Sequence, residues 1–115
     1  MRSIIFKGKF SHLKENINQG TIVLCHFEPE DNDKIIFQAA KKYTQTANDR
    51  LILVPFAHLF EKSASKKEAK RLFEVLVNFC IEFKMQTVTV VPFGVKKEFF
   101  LYAPADNSAI KFMKF

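Results

Sequence analysis

The chain has 115 residues, 48% of them hydrophobic, which is ample for one compact core and too apolar for a disordered chain. Only 3 Gly and 4 Pro exclude collagen-like or low-complexity material, and no uncharged apolar run is long enough to cross a bilayer. Lys and Arg number 18 against 12 Asp and Glu, a net charge of +6 that favours a polyanionic partner such as nucleic acid.

The first residues, Met1-Arg2-Ser3-Ile4-Ile5-Phe6-Lys7, lack the apolar stretch and small-residue cleavage site of a secretory signal, so a cytoplasmic protein is expected. Cys25 and Cys80 form no Cys-x-x-Cys pair, and both read as reduced core residues. With His26 and His58 they match no zinc spacing, so no metal and no other cofactor is expected.

In chain order, Ser3-Ile4-Ile5-Phe6 and Lys9-Phe10-Ser11-His12-Leu13 read as two short strands of a hairpin about Gly8. Asn18-Gln19-Gly20 reads as a turn. Thr21-Ile22-Val23-Leu24-Cys25-His26-Phe27 follows, a run apolar on both faces and therefore a buried strand. The carboxylates of Glu28-Pro29-Glu30-Asp31-Asn32-Asp33 suit the N-terminus of a following helix. Ile35, Ile36, Ala39, Ala40, Tyr43 and Ala47 recur at three- and four-residue intervals, which predicts a helix over about 33–47.

Leu51-Ile52-Leu53-Val54 is a buried strand stopped by Pro55. Ser65 and Glu68 form a Ser-x-x-Glu capping box, and Ala69, Leu72, Phe73, Leu76, Val77, Cys80 and Phe83 make the apolar stripe of a second helix. Gln86–Val91 reads as a strand ended by Pro92, Lys97–Tyr102 as the last strand, and 103–107 as a loop. The expected class is α/β: a mixed sheet, with a β-hairpin and then β-α-β-α-β, in one domain spanning 1–115.

Two strands end in similar words, Leu53-Val54-Pro55-Phe56-Ala57-His58 and Val90-Val91-Pro92-Phe93-Gly94-Val95. Proline lacks the N–H that a central ladder needs, so each should end its strand and turn the chain outward. A helix between two such strands makes them parallel, which puts both turns at one edge of the sheet. Ligands of open α/β sheets sit beyond that edge. His58, Lys96 and Lys97 are thereby candidates to face one crevice, with small Ala57 and Gly94 allowing close approach to the backbone. Phe56 and Phe93 read as plugs of core under the loops rather than as stacking platforms. Lys62, Lys66, Lys67, Lys70 and Arg71 are equally readable as phosphate contacts and as a solvated helix face.

Pro55-Phe56-Ala57-His58-Leu59, then a helix, a strand and Pro92-Phe93-Gly94-x-x-Lys97-x-Phe99, resembles the editing domain of archaeal threonyl-tRNA synthetases from about Gly20 to Tyr102. The resemblance implies the fold of D-aminoacyl-tRNA deacylases, a homodimer, and removal of serine wrongly esterified to threonine tRNA. By motif position Lys97 matches the family's catalytic lysine and His58 the histidine of the same pocket. Pro55, Phe56, Ala57, Pro92, Phe93, Gly94, Val95 and Lys96 would line the substrate. Val95 and Lys96 stand where the family usually has aromatic residues, and the family's C-terminal acidic position falls at or near Asn107, beside Asp106. Lys14 is the nearest counterpart of a lysine on the family's first hairpin.

The expected partner is the aminoacylated 3′ end of tRNA, met in trans, and the expected activity is that of an aminoacyl-ester hydrolase. The alternative is a relative that kept the fold and lost the chemistry, binding tRNA or another protein.

Overall fold

The structure is a computed structural model that describes residues 1–12, 18–56, 59–84, 88–93, 99–104 and 110–115, except for the side chains of residues 12, 99 and 100. Among the described residues six strands and two helices follow one another as β1 (Arg2–His12), β2 (Asn18–His26), α1 (Asp33–Thr46), β3 (Leu51–Pro55), α2 (Lys66–Lys84), β4 (Val88–Val90), β5 (Phe99–Tyr102) and β6 (Ile110–Lys114). They form one mixed sheet in the order β4-β3-β2-β1-β5, with β6 also paired to β1. The pairs β2–β3 and β3–β4 are parallel; β1 runs antiparallel to β2, β5 and β6.

The expected β-α-β-α-β order is present, but the hairpin is drawn differently. β1 runs unbroken through Gly8, and its antiparallel partner is β2, whose first residues are the Asn18-Gln19-Gly20 expected to turn. Gly8 and Gly20 face each other across this pair. A methyl on Gly8 would lie 1.9 Å from the Tyr102 carbonyl oxygen, and one on Gly20 would lie 2.2 Å from that of Arg50. Both glycines therefore mark places where a neighbouring backbone presses on the sheet, a use of glycine inside strands that looks like turn chemistry in the sequence.

Gly8 also lies where β1 changes neighbour. Residues 2–6 pair with β6 and residues 9–12 with β5. β6 lies beyond the strand expected to be the last, and its apolar residues are mostly exposed, so it carries no buried-face signature.

Each helix behaves as its stripe requires. α1 starts at Asn32, whose side chain accepts from the Ile35 N–H at 3.0 Å, and buries Ile36, Ala39, Ala40 and Tyr43. α2 starts at Ser65, whose hydroxyl oxygen accepts from the Glu68 N–H at 3.2 Å. The reciprocal half of that capping box gives way to an ion network: Glu68 and Asp33 both bind Arg71, at 2.7 and 2.8 Å, and so join the two helices.

Both helices cover one face of the sheet, against Ile5, Val23, Cys25, Leu51 and Leu53. The alternate residues of the same strands, Phe6, Phe10, Ile22, Leu24, Ile52 and Val54, form a second cluster on the other face with Val91. Among the described residues no helix covers that face; Phe56, Leu59 and Ala103 lie against it.

The carboxylates before α1 divide their work. Asp33 occupies the first turn, whereas Glu28 and Asp31 are buried and turn to the start of β1. The Met1 ammonium binds Asp31 and lies 3.5 Å from Glu28, and Arg2 Nε lies 3.3 Å from the other Glu28 oxygen. Burying such charges is tolerable because they are paired.

Candidate functional site at the carboxyl edge of the parallel strands

β2, β3 and β4 are parallel and end at one edge of the sheet, in His26, Pro55 and Val90. Pro55 is the last paired residue of β3, opposite Cys25, and the Phe56 N–H donates to the Cys25 carbonyl oxygen at 2.9 Å. On the far side, the Val91 N–H donates to the Leu53 carbonyl oxygen at 3.0 Å before Pro92 turns the chain. The two Pro-Phe turns thus share an edge, as parallel strands require.

Their phenyl rings part company. Phe56 packs with Leu59 against the cluster on the helix-free face. Phe93 packs on the helix face, 6.2 Å from the ring of Phe73 on α2. A groove of about 430 Å³ opens there between α2 and β4, lined by Lys70, Phe73, Val77, Val90, Pro92 and Phe93. Both rings are partly buried, so packing is their first task.

His58, Lys97, Ala57, Gly94, Val95 and Lys96 lie outside the described residues, as do Lys14, Asp106 and Asn107. The residues on either side of Ala57 and His58 are described. Phe56 and Leu59 both rest on the same cluster.

The edge carries charge of both signs, with Glu28, Glu30 and Asp33 before and at the start of α1 and lysines around the start of α2. Both helices start at it, and helix N-termini carry partial positive charge and unpaired N–H groups. Lys62, Lys66, Lys67 and Lys70 are exposed along and just before the start of α2. Arg71, expected to stand with them, is occupied by Glu68 and Asp33. These hydrogen bonds hold its guanidinium pKa above the ordinary value and, in turn, hold the Glu68 carboxyl below its own. Further along the same edge, a polar cleft of about 190 Å³ is lined by Arg2, Glu28, Glu30, Glu61, Lys62 and Lys114.

A residue that the sequence reading weighed only as a metal ligand lies between these two regions. His26 ends β2 with no exposed surface (0%). Its Nδ1 receives the Phe60 N–H at 3.4 Å, so the ring proton belongs on Nε2, which donates to the Lys62 carbonyl oxygen at 2.5 Å. The signal was there: a histidine at the end of a run apolar on both faces must find hydrogen-bond partners in the interior.

Cys25 and Cys80 are both free and buried, as expected. Burial pushes the Cys80 thiol up to about 12 and, aided by the nearby Cys80, raises that of Cys25 well above its ordinary value. Neither is poised as a nucleophile. Among the described residues no three His, Cys, Asp or Glu side chains are grouped to hold a metal ion, and no helix is long and apolar enough to cross a membrane.

No curated protein matches the chain. Among solved structures, it superposes on a c-Myc DNA unwinding element binding protein with a TM-score of 0.80 and 11% identity, over 100% of this chain and 99% of that one. That likeness shows the fold, a mixed α/β architecture of the D-aminoacyl-tRNA deacylase type. The model of the archaea-specific editing domain of threonyl-tRNA synthetase matches residues 5–112, a span holding both Pro-Phe turns and the segments after them. With that match over nearly its whole length, the chain belongs to the family of archaeal threonyl-tRNA synthetase editing domains.

Proposed function

We propose that this chain, as one domain, is an aminoacyl-tRNA editing hydrolase that removes serine, or a similarly small amino acid, from tRNA(Thr). The observation that carries the reading is the family match over residues 5–112, a span within which Pro55-Phe56-Ala57-His58 and Pro92-Phe93-Gly94-x-x-Lys97 lie. Two further features support it. Both motifs follow parallel strands that end at one edge, and that edge has helix N-termini and exposed lysines suited to the phosphates of a tRNA 3′ end.

The reaction adds water across the ester. The bond from the amino-acid carbonyl carbon to the ribose oxygen breaks, and a free amino acid and an intact tRNA 3′ hydroxyl leave. Negative charge gathers on the carbonyl oxygen in the transition state, so a fixed donor there is the main catalytic device. Lys97, by motif position, is the group that stabilises this charge or orients the water, and His58 shapes the pocket. Water and a cation suffice for this chemistry, which calls for no metal and no organic cofactor. In this reading the protein acts in the cytoplasm as a homodimer, and the exposed Ile110 and Phe112 of β6 offer apolar surface for such a contact.

The test is hydrolysis of seryl-tRNA(Thr) by the chain alone, with no synthetase added, beside Lys97→Ala and His58→Ala. The wild type should hydrolyse the ester, and Lys97→Ala should lower kcat by roughly 10²- to 10³-fold, the loss typical of removing one oxyanion donor. Equal rates would remove Lys97 from the mechanism. A second reading, a binding module without chemistry, is favoured by Val95 and Lys96 at positions the family gives to aromatic residues. It expects salt-sensitive tRNA binding with no hydrolysis at any enzyme concentration.

A further inference from the structure

The segment that joins His58 to α2 is tied to the end of β2 at alternate residues. The Phe60 N–H reaches His26 Nδ1, the Lys62 carbonyl oxygen receives His26 Nε2–H, and the Ala64 N–H donates to the Phe27 carbonyl oxygen at 2.9 Å. The ties fall at every second residue, and one imidazole makes two of the three. The ring is also packed edge-on against Phe60, with centroids 5.4 Å apart at 72°. Over the Phe60 ring lies the Arg2 guanidinium, 5.8 Å from its centre, which in turn pairs with Glu28.

Both nitrogens of this buried ring are taken by the backbone of one segment. A histidine so committed is a strut. Its removal takes the partner from the Phe60 N–H and the Lys62 C=O at once, and with it the tie between residues 60–62 and the end of β2.

We infer that His26 is a positioning residue for the site at this edge, holding residues 60–62, which follow His58 in sequence and lead into α2. The inference rests on the editing reading above. Displacing a substrate-positioning group by an ångström lowers rates by about a hundredfold, and the strap begins two residues after His58. Asparagine can replace one rung and glutamine the other, because the Asn Oδ1 stands near the place of Nδ1 and the Gln Nε2 near that of Nε2.

The experiment combines amide hydrogen exchange at Phe60, limited trypsin cleavage after Lys62, and seryl-tRNA(Thr) hydrolysis for His26→Ala, His26→Asn and His26→Gln, all below their unfolding temperatures. In His26→Ala, Phe60 protection should be lost, cleavage after Lys62 accelerated, and kcat reduced by about tenfold or more. His26→Asn should restore Phe60 protection and most of the rate, a rescue that a general loss of stability would not give. Unchanged exchange and cleavage in His26→Ala would overturn the strut. A freed strap with an unchanged rate, or Asn no better than Ala, would overturn its link to the chemistry. Wild-type protein that hydrolyses nothing would overturn the editing reading and the catalytic part of this inference, while exchange and cleavage would still decide the strut.

Discussion

The two faces of the sheet are equally dry where they meet the central strands, yet they are closed by different means. Leu53 and Ile52 are neighbours on β3, both fully buried (0% exposed), one under the helices and one on the opposite face. Leu53 lies beneath two helices with their own stripes of Ile36, Tyr43, Leu72 and Leu76. Ile52 lies beneath the side chains of short connections, among them Phe56 and Leu59 on either side of Ala57 and His58. The helix face is built for stability. Among the described residues the other face draws part of its cover from Phe56 and Leu59, which flank Ala57 and His58 in sequence, and loops on a rigid scaffold are where function concentrates.

Paired truncations would break this contrast most directly. Leu53→Ala should cost about 2–5 kcal/mol in denaturant unfolding, because packed helices close poorly around a cavity. Ile52→Ala should fall at the lower end of that range, since connections relax more easily into the gap. Equal costs would mean that the loops cover their face as rigidly as the helices do.

A smaller effect is expected at high pH, and it belongs to the helix face alone. Cys25 and Cys80 lie in that core with their thiols held neutral by burial, that of Cys80 up to about 12. The folded state keeps these protons after the unfolded chain has released them. Stability should therefore be undiminished below the ordinary thiol pKa of about 9 and fall as pH rises above it. A Cys80→Ala, Cys25→Ala double variant should flatten the alkaline limb of a stability-versus-pH curve. In the native wild type, neither thiol should react with a disulfide reagent at pH 8.

The smallest change in folding stability is expected on β6. Phe112 and Ile110 are 70% and 54% exposed, and their register opposite Ile4 and Phe6 sets them on the face without helices. Phe112→Ser should move monomer stability by no more than about 0.5 kcal/mol, as surface substitutions do. It should nonetheless shift the proposed homodimer to monomer in sedimentation. A variant that stays dimeric would move the contact away from this strand.

Much of the helix face is legible in the primary structure. The stripes of α1 and α2, the caps Asn32 and Ser65, and the prolines that end β3 and follow β4 act through neighbours a few positions away, so their spacing is their meaning. The paired Pro-Phe motifs also point to the family that the match over residues 5–112 shows. The other face is written in contacts between distant segments. Gly8 and Gly20 look like turn residues until Tyr102 and Arg50 come within reach. His26 looks like one polar interruption of a strand until Phe60 and Lys62 settle on it, and Glu28 and Asp31 look like helix signals until Met1 claims them. The opposite destinations of Phe56 and Phe93, identical in local wording, were decided by tertiary packing alone. One ring is met by Leu59 and the open-face strands and the other by α2, and a side chain's partner across the fold has no local periodicity to announce it.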